Sequence, residues 1–327
     1  QFGDQGIKGA DCFRCTLVAE AESSSNYIQV ARQEFQYADG TLDPRMVLLL
    51  NEGRARHSVY RLRYRDTGDS VDLLTDGGPW DYFSVAPYFY PNRDPSSVRS
   101  MAMIGSAAGT VPQQFLAIYG PDTRIDAVEI DQRIIELGRR YFDMRDGSPQ
   151  FPNYRVHAED GRYWLAGATE KYDVIGMDAY HQPYIPFHLT TVEFFREVKA
   201  RLNEDGVAVV NAGRPPSGDD SLVNALASTM VQVFPQVFIM DTRGQSNGII
   251  VGVNRPVGDG VTNFLENADR MQVPALQIVM QWALYEGQGP VREFTPDQAL
   301  SRPFTDDLAP VERLVDGMIF SEAGRLR

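Results

Sequence analysis

No apolar run in the 327-residue sequence approaches the roughly 18 residues that a membrane-spanning helix needs. The longest, "MVLLL" at Met46–Leu50, has the length of a buried strand. The first 15 residues, "QFGDQGIKGADCFRC", lack both a basic leader and an apolar core, so they do not read as a secretory signal. An initiating Met is missing as well, and the chain is expected to be a processed or excised part of something longer. Positive charge is in deficit: 31 Lys and Arg face 44 Asp and Glu, a net charge of −13. That excludes the basic surface on which nucleic-acid phosphates bind and disfavours an anionic membrane surface. It suits a cationic ligand such as a polyamine, and it serves plain solubility equally well. Cysteine is nearly absent. Cys12 and Cys15 are spaced C-x-x-C, but the two further ligands of a zinc site are not found, and a Gly- and Asp-rich leader is not the strand-to-helix junction of a thioredoxin-like motif. The pair is expected to be two thiols or a local disulfide with no catalytic part.

What is present is the composition of an ordinary globular protein, 43% hydrophobic and 23% charged, at a length that suits two structural units. After a leader at 1–15, residues 16–92 hold short alternating or β-branched runs, "YIQVA", "MVLLLN", "HSVYRLRY" and "VDLL", broken by turn formers; they predict a small β-rich unit. "PNRDPSS" at Pro91–Ser97 marks a boundary. From 93 to 255 strands alternate with helices. "VRSMAMIG", "RIDAVEI", "YRVHAED", "YDVIGMD" and "GVAVVNA" read as strands, and "QVFIMDT" with "GIIVGVN" as a closing hairpin. Helices are predicted at Thr110–Tyr119, after a cap at Asp131, from a capping box at Thr190 and Glu193, and over Asp219–Val233. Residues 256–327 read as a helical extension. The fold class is therefore α/β: a β-rich N-terminal unit, then a doubly wound, Rossmann-like sheet of the class I methyltransferase type, then C-terminal helices.

In such sheets ligands bind at the C-terminal ends of the strands. The first strand ends in "IGSAAGT", where Gly105 and Gly109 let backbone approach a ligand. The second ends in "VEID", and Glu129, about 20 positions on, is placed to accept hydrogen bonds from ribose hydroxyls. The third ends in "EDGR": Asp160 is placed to accept from an adenine amino group or to cap the helix that Gly161 opens. The fourth delivers Asp178 in "YDVIGMDAYHQP", with His181 three residues later. Gly, Glu, Asp and Asp on successive strand ends predict a single-nucleoside site. His57, Asp76 and Tyr82 are candidates to enter the cleft from the β-rich unit, each with a turn or core role as the alternative. Tyr88 and Tyr90 read as core, and His188 as structural.

In this order the residues resemble the spermidine synthase family of aminopropyltransferases. "AESSSNYIQV" is similar to its E-S-x-Y-Q-x-I segment and "LNEGRARHSVY" to its L-D-G-x-x-Q strand. "PFHLTTVEFF", "FPQVF" and "TDDLAPVE" resemble the branch often fused to membrane helices, which implies a soluble, cytoplasmic part of a protein with a membrane segment outside this chain. The resemblance implies transfer of an aminopropyl group from decarboxylated S-adenosylmethionine to a small amine, without a metal, in a homo-oligomer. By position, Glu129 holds the ribose, Asp160 the adenine, Gly105 and Gly109 line the thioether, and Asn26 stands where the family has Gln. Asp178 matches the first Asp of the D-S-S-D-P gate. Three positions depart. Ala108 replaces the Asp that grips the donor's amine, His181 the second gate Asp, and the Glu of Y-H-E is lost near Asp81–Phe83. Two other readings follow from these losses: a methyltransferase using S-adenosylmethionine itself, or a non-catalytic nucleoside-sensing or structural domain.

Overall fold

The computed structural model describes residues 9–10, 12–51, 55–180, 184–244, 247–287, 289–300 and 302–325. Strands β1 (Cys15–Glu22), β2 (Tyr27–Gln36), β3 (Leu42–Leu50) and β4 (Arg56–Arg61) form an antiparallel meander in sequence order. "VDLL" is not a strand but part of a 3-10 turn at Ser70–Leu73, opened by Asp69, whose carboxylate accepts from the Val71 N–H. Cys12 and Cys15 are joined in a disulfide.

The second sheet contains β5 (Ser100–Ile104), β6 (Arg124–Glu129), β7 (Tyr154–Ala158), β8 (Tyr172–Met177), β9 (Leu202–Gly213), β10 (Gln236–Asp241), β11 (Asn247–Val253) and β12 (Arg292–Phe294). Their spatial order is β12-β10-β11-β9-β8-β5-β6-β7. Pairing is parallel from β9 through β7, and antiparallel among β9, β11, β10 and β12. The expected hairpin is present, but β12, inside the stretch read as helical, covers its outer edge.

Helices α1 (Tyr64–Thr67), α2 (Thr110–Tyr119), α3 (Gln132–Tyr141), α4 (Gly161–Gly167), α5 (Val192–Ala200), α6 (Ser221–Met230), α7 (Gly260–Arg270), α8 (Pro274–Tyr285) and α9 (Val311–Arg325) complete the chain. Because side chains alternate along a strand, the central strands β5, β8, β9, β10 and β11 feed two cores. Met101, Met103, Val207, Val209, Ile249 and Val251 pack on one side with α2, α7 and α8. Ala102, Ile104, Ala208, Val210 and Ile250 pack on the other with α5, α6 and α9. The first core also takes in the 3-10 segment Pro79–Phe89: Tyr82, Phe83, Tyr88 and Phe89 are fully buried in it. That segment precedes Pro91–Ser97 in sequence yet packs on the large sheet.

Helix α3 is capped as expected, the Asp131 carboxylate accepting from the Arg133 N–H at 3.0 Å. The α5 cap differs. Thr191, not Thr190, is the cap, its hydroxyl accepting from the Phe194 N–H while it donates to Asp306. Thr190 donates to the Phe187 carbonyl, and Glu193 accepts from the Asp306 N–H instead of closing a capping box.

The small sheet lies over the start of the large one. Ile28, Val30, Met46, Leu48, Leu50 and Tyr60 pack on Ala108 and on Ile134, Leu137 and Phe142 of the α3 region. Two polar ties fix the register. Ala108 N–H donates to Ser58 Oγ at 2.9 Å, and Thr110 Oγ1 accepts from Val59 N–H and donates to its carbonyl. So the middle of β4 stands over the turn that leaves β5.

Candidate active site

Strands β5 and β8 are adjacent, and from them the chain proceeds to opposite sides, toward β6 and toward β9. Their C-terminal ends open a crevice at this change of direction, the place where α/β sheets bind ligands. The crevice is a cavity of about 880 Å³, roofed by β4 and the turn before the 3-10 segment. It is large enough for a nucleoside-sized ligand plus a small acceptor.

One end is built from β5, β6 and β7. Gly105 has φ +78°, and a side chain there would put Cβ 2.6 Å from the backbone of Ala179; glycine lets β5 and the segment after β8 approach. Ser106 lines the cavity at 5% exposure, and its buried hydroxyl has no hydrogen-bond partner among the described residues. Glu129 is fixed by two backbone donors, Ala107 N–H on Oε2 at 2.9 Å and Asp131 N–H on Oε1 at 3.0 Å. Burial raises its pKa, and those two N–H groups oppose the rise. Glu129 lines the cavity, and each carboxylate oxygen keeps acceptor capacity beyond its one backbone bond, which an acceptor for paired hydroxyls needs.

Asp160 fulfils the capping alternative. Its Oδ1 accepts from Arg162 and Tyr163 N–H, and its Oδ2 lies 3.0 Å from His188 Nε2. Both residues line the cavity, as does Gly161, whose missing side chain leaves room for Ile104. Asn26 lines it from above, donating to Asp131 and accepting from Asn51; it ties the small sheet to the α3 cap.

The other end is built around Asp178. Its Oδ1 accepts from Asn211 Nδ2 at 2.7 Å and its Oδ2 from Trp80 Nε1 at 3.0 Å. Asn211 in turn accepts from Asn247 Nδ2 at 2.8 Å. Burial pushes the Asp178 carboxyl up to about 7, partly offset by these two neutral donors. No cation among the described residues neutralises it, so near neutral pH it exchanges a proton readily. Tyr180 OH bridges the Asn211 carbonyl and the Gly213 N–H, fixing the wall opposite. Arg214 closes this end, its guanidinium shared between Asp220 and Asp241.

Of the expected site residues, Asn26, His57, Gly105, Glu129, Asp160, Gly161 and Asp178 line this one cavity. Gly109, Asp76 and Tyr82 do not. Gly109 (φ +89°) is buried toward Met144 and Tyr154, and serves the turn into α2. Asp76 is held by Arg45 and Arg61 and by the Tyr37 hydroxyl. Tyr82 is fully buried, its hydroxyl accepting from Arg243 N–H. Asp81, beside the expected Y-H-E position, accepts from Thr75, Gly77 and Gln114 at 1% exposure and organises the preceding turn. His181 lies outside the described residues. Trp80, Asn211, Ser106 and Arg56 line the cavity without having been expected there. Asn211 lies near the end of β9, just after its apolar run, so extending the strand-end rule by one strand finds it. Trp80 follows a Gly-Gly-Pro turn and carries no periodic signal. Among the described residues no group of three His, Cys, Asp or Glu could hold a metal ion, and no helix is long and apolar enough to cross a membrane.

Residues 97–250 match the family model described as "Spermine/spermidine synthase domain". A "Probable polyamine aminopropyl transferase" of Bifidobacterium longum is 31% identical over 98% of this chain and 68% of its own length. A probable spermidine synthase from Corynebacterium glutamicum superposes with a TM-score of 0.63 at 18% identity, over 89% of this chain and 96% of its own. Human methyltransferase-like protein 13, solved with SAH, superposes at 0.51 with 23% identity, over 64% and 93%. At such identities the two structures speak for the fold alone.

Proposed function

The chain belongs to the spermine/spermidine synthase family, and on that premise we propose that it moves an aminopropyl group from decarboxylated S-adenosylmethionine to an amine, through an acceptor end that departs from the family pattern. The observation that carries this reading is the pairing in one cavity of Glu129, held by two backbone donors, with Asp178, a carboxyl of pKa about 7. An amine is nucleophilic only when neutral. Asp178 takes its proton, and the nitrogen lone pair attacks the aminopropyl carbon bonded to the sulfonium. The carbon–sulfur bond breaks, its electron pair stays on sulfur, and methylthioadenosine leaves. Trp80 and Asn211 hold the Asp178 oxygens in place for the proton, and Glu129 holds the ribose.

The experiment is incubation of the purified chain with decarboxylated S-adenosylmethionine and a panel of amines, reading methylthioadenosine release by chromatography. Release that depends on the amine supports the reading. Binding without release for every amine favours a nucleoside-sensing domain, and methyl transfer from S-adenosylmethionine favours a methyltransferase. For the nucleoside end, Glu129→Gln is expected to weaken methylthioadenosine binding by about 1–3 kcal/mol in calorimetry. Unchanged affinity removes Glu129 from the site.

A further inference from the structure

Charge at the acceptor end is unevenly committed. Arg45, fully buried on β3, pairs with Asp43 and Asp76, and Arg61 on β4 pairs with the same two carboxylates. Arg56, at the start of β4, belongs to this group: it feels the repulsion of Arg45 and the attraction of Asp76. Arg45 and Arg61 thus take both carboxylates in ion pairs, and Arg56 is the third guanidinium, outside those pairs. Arg56 lines the cavity, and its guanidinium makes no hydrogen bond or ion pair with any described residue.

The other charges at that end are already used. Arg214 is shared between Asp220 and Asp241. Asp178 is held by two neutral donors, and burial raises its carboxyl to about 7, so near neutral pH it carries only part of a negative charge. Glu159 and Asp160 stand at the nucleoside end, after β7, with Asp160 on His188. Among the described residues, a dication entering the acceptor end would meet the unspent guanidinium of Arg56 and no carboxylate beyond Asp178. Arg56 is exposed at the cavity wall, and desolvation and the repulsion of Arg45 outweigh the attraction of Asp76 in lowering its pKa. A single guanidinium, with no second free cation beside it among the described residues, matches one carboxylate.

We infer that the acceptor amine carries a carboxylate, held by Arg56 while its amino group faces Asp178, so that the acceptor is an amino acid and not a di- or polyamine. This rests on the aminopropyl-transfer reading and specifies its second substrate.

The test uses acceptor pairs differing only by a carboxylate: ornithine against putrescine, and lysine against cadaverine. Each is assayed for methylthioadenosine release and, independently of turnover, for calorimetric binding to the chain saturated with methylthioadenosine. In the wild type at least one amino acid is expected to exceed its decarboxylated partner about tenfold or more, and Arg56→Gln to remove about ten- to a hundredfold of that preference. Arg56→Lys restores part of it, and methylthioadenosine affinity stays unchanged in both variants, showing that the site is folded. A wild-type preference for both diamines, or a ratio indifferent to Arg56→Gln, overturns the inference while leaving aminopropyl transfer standing. If Arg56→Gln instead abolishes a preference for S-adenosylmethionine over its decarboxylated form, the carboxylate is the donor's and the acceptor assignment is wrong. Failure of the wild type to bind methylthioadenosine overturns the functional reading itself, and this inference with it.

Discussion

Asp178→Asn is expected to lower the transfer rate about 10²–10⁴-fold, the range for loss of a positioned general base. Methylthioadenosine should still bind, because the nucleoside end is built on Gly105, Glu129 and Asp160, and not on Asp178. The same group sets the pH dependence. Its pKa of about 7 makes the wild-type rate rise with pH through a limb near that value as the base form appears. Asn211 and Trp80 lower that pKa by donating to the ionised carboxylate. Asn211→Ala removes one donor, so the limb should move to higher pH. A merely structural Asn211 would lower the rate without moving the limb. Stability follows the same sign. The folded carboxyl binds its proton more tightly than an unfolded one at 3.8, so its contribution is present at low pH and is lost as pH rises from about 4 to about 7. Urea unfolding of Asp178→Asn across that window should show a flatter profile than the wild type. An Asp178→Asn protein with full activity, or an unshifted limb in Asn211→Ala, removes the base from the mechanism.

Gly105→Ala is expected to destabilise the fold by about 3 kcal/mol or more, combining a left-handed backbone with forced overlap in a packed region. The added Cβ would lie 2.6 Å from Ala179 N and Cα and 2.7 Å from the Asp178 carbonyl carbon, all backbone atoms that cannot rotate aside. The strands must separate, carrying Asp178 off Trp80 and Asn211, so whatever folds should also lose transfer. Gly68→Ala is the control. Gly68 has φ +63°, and a Cβ added there would meet nothing within 4 Å, so only the conformational cost of about 1 kcal/mol applies and transfer is unaffected. Equal losses in the two variants, measured by denaturant unfolding, would show that the close approach at Gly105 is not what matters.

Much of this architecture is legible because burial writes itself into local pattern. β5, β8 and β9 are covered on both faces, so their sequences are nearly continuous apolar runs, and each run ends where a site residue begins. Asp178 follows the run of β8 and Asn211 the apolar run of β9, while Glu129 is the last residue of β6. Local pattern also misled where two neighbours are chemically alike. Thr190 and Thr191 both offer a hydroxyl, and Asp306, over a hundred residues away in sequence, selects Thr191. Asp76 carries every mark of a polar turn residue near the cleft, yet Arg45 and Arg61 claim it. "VDLL" has strand composition but lies in a 3-10 turn whose Asp69 cap engages the Val71 N–H.

By itself, the sequence determined the alternation of strands and helices, the doubly wound class, the strand-end acids and the family pattern with its departures at Ala108 and Asp81–Phe83. The elements and strand-end acids follow from periodicity and residue order along the chain, and the family pattern, with its departures, follows from the resemblance of its motifs. Tertiary structure alone decided that Trp80 reaches Asp178 across 98 residues, that burial without a counter-charge lifts that carboxyl to about 7, and that Arg56 is the cation left over beside the cavity. Hydrogen-bond partners, desolvation and charge balance depend on which distant surfaces meet, and no local spacing encodes that.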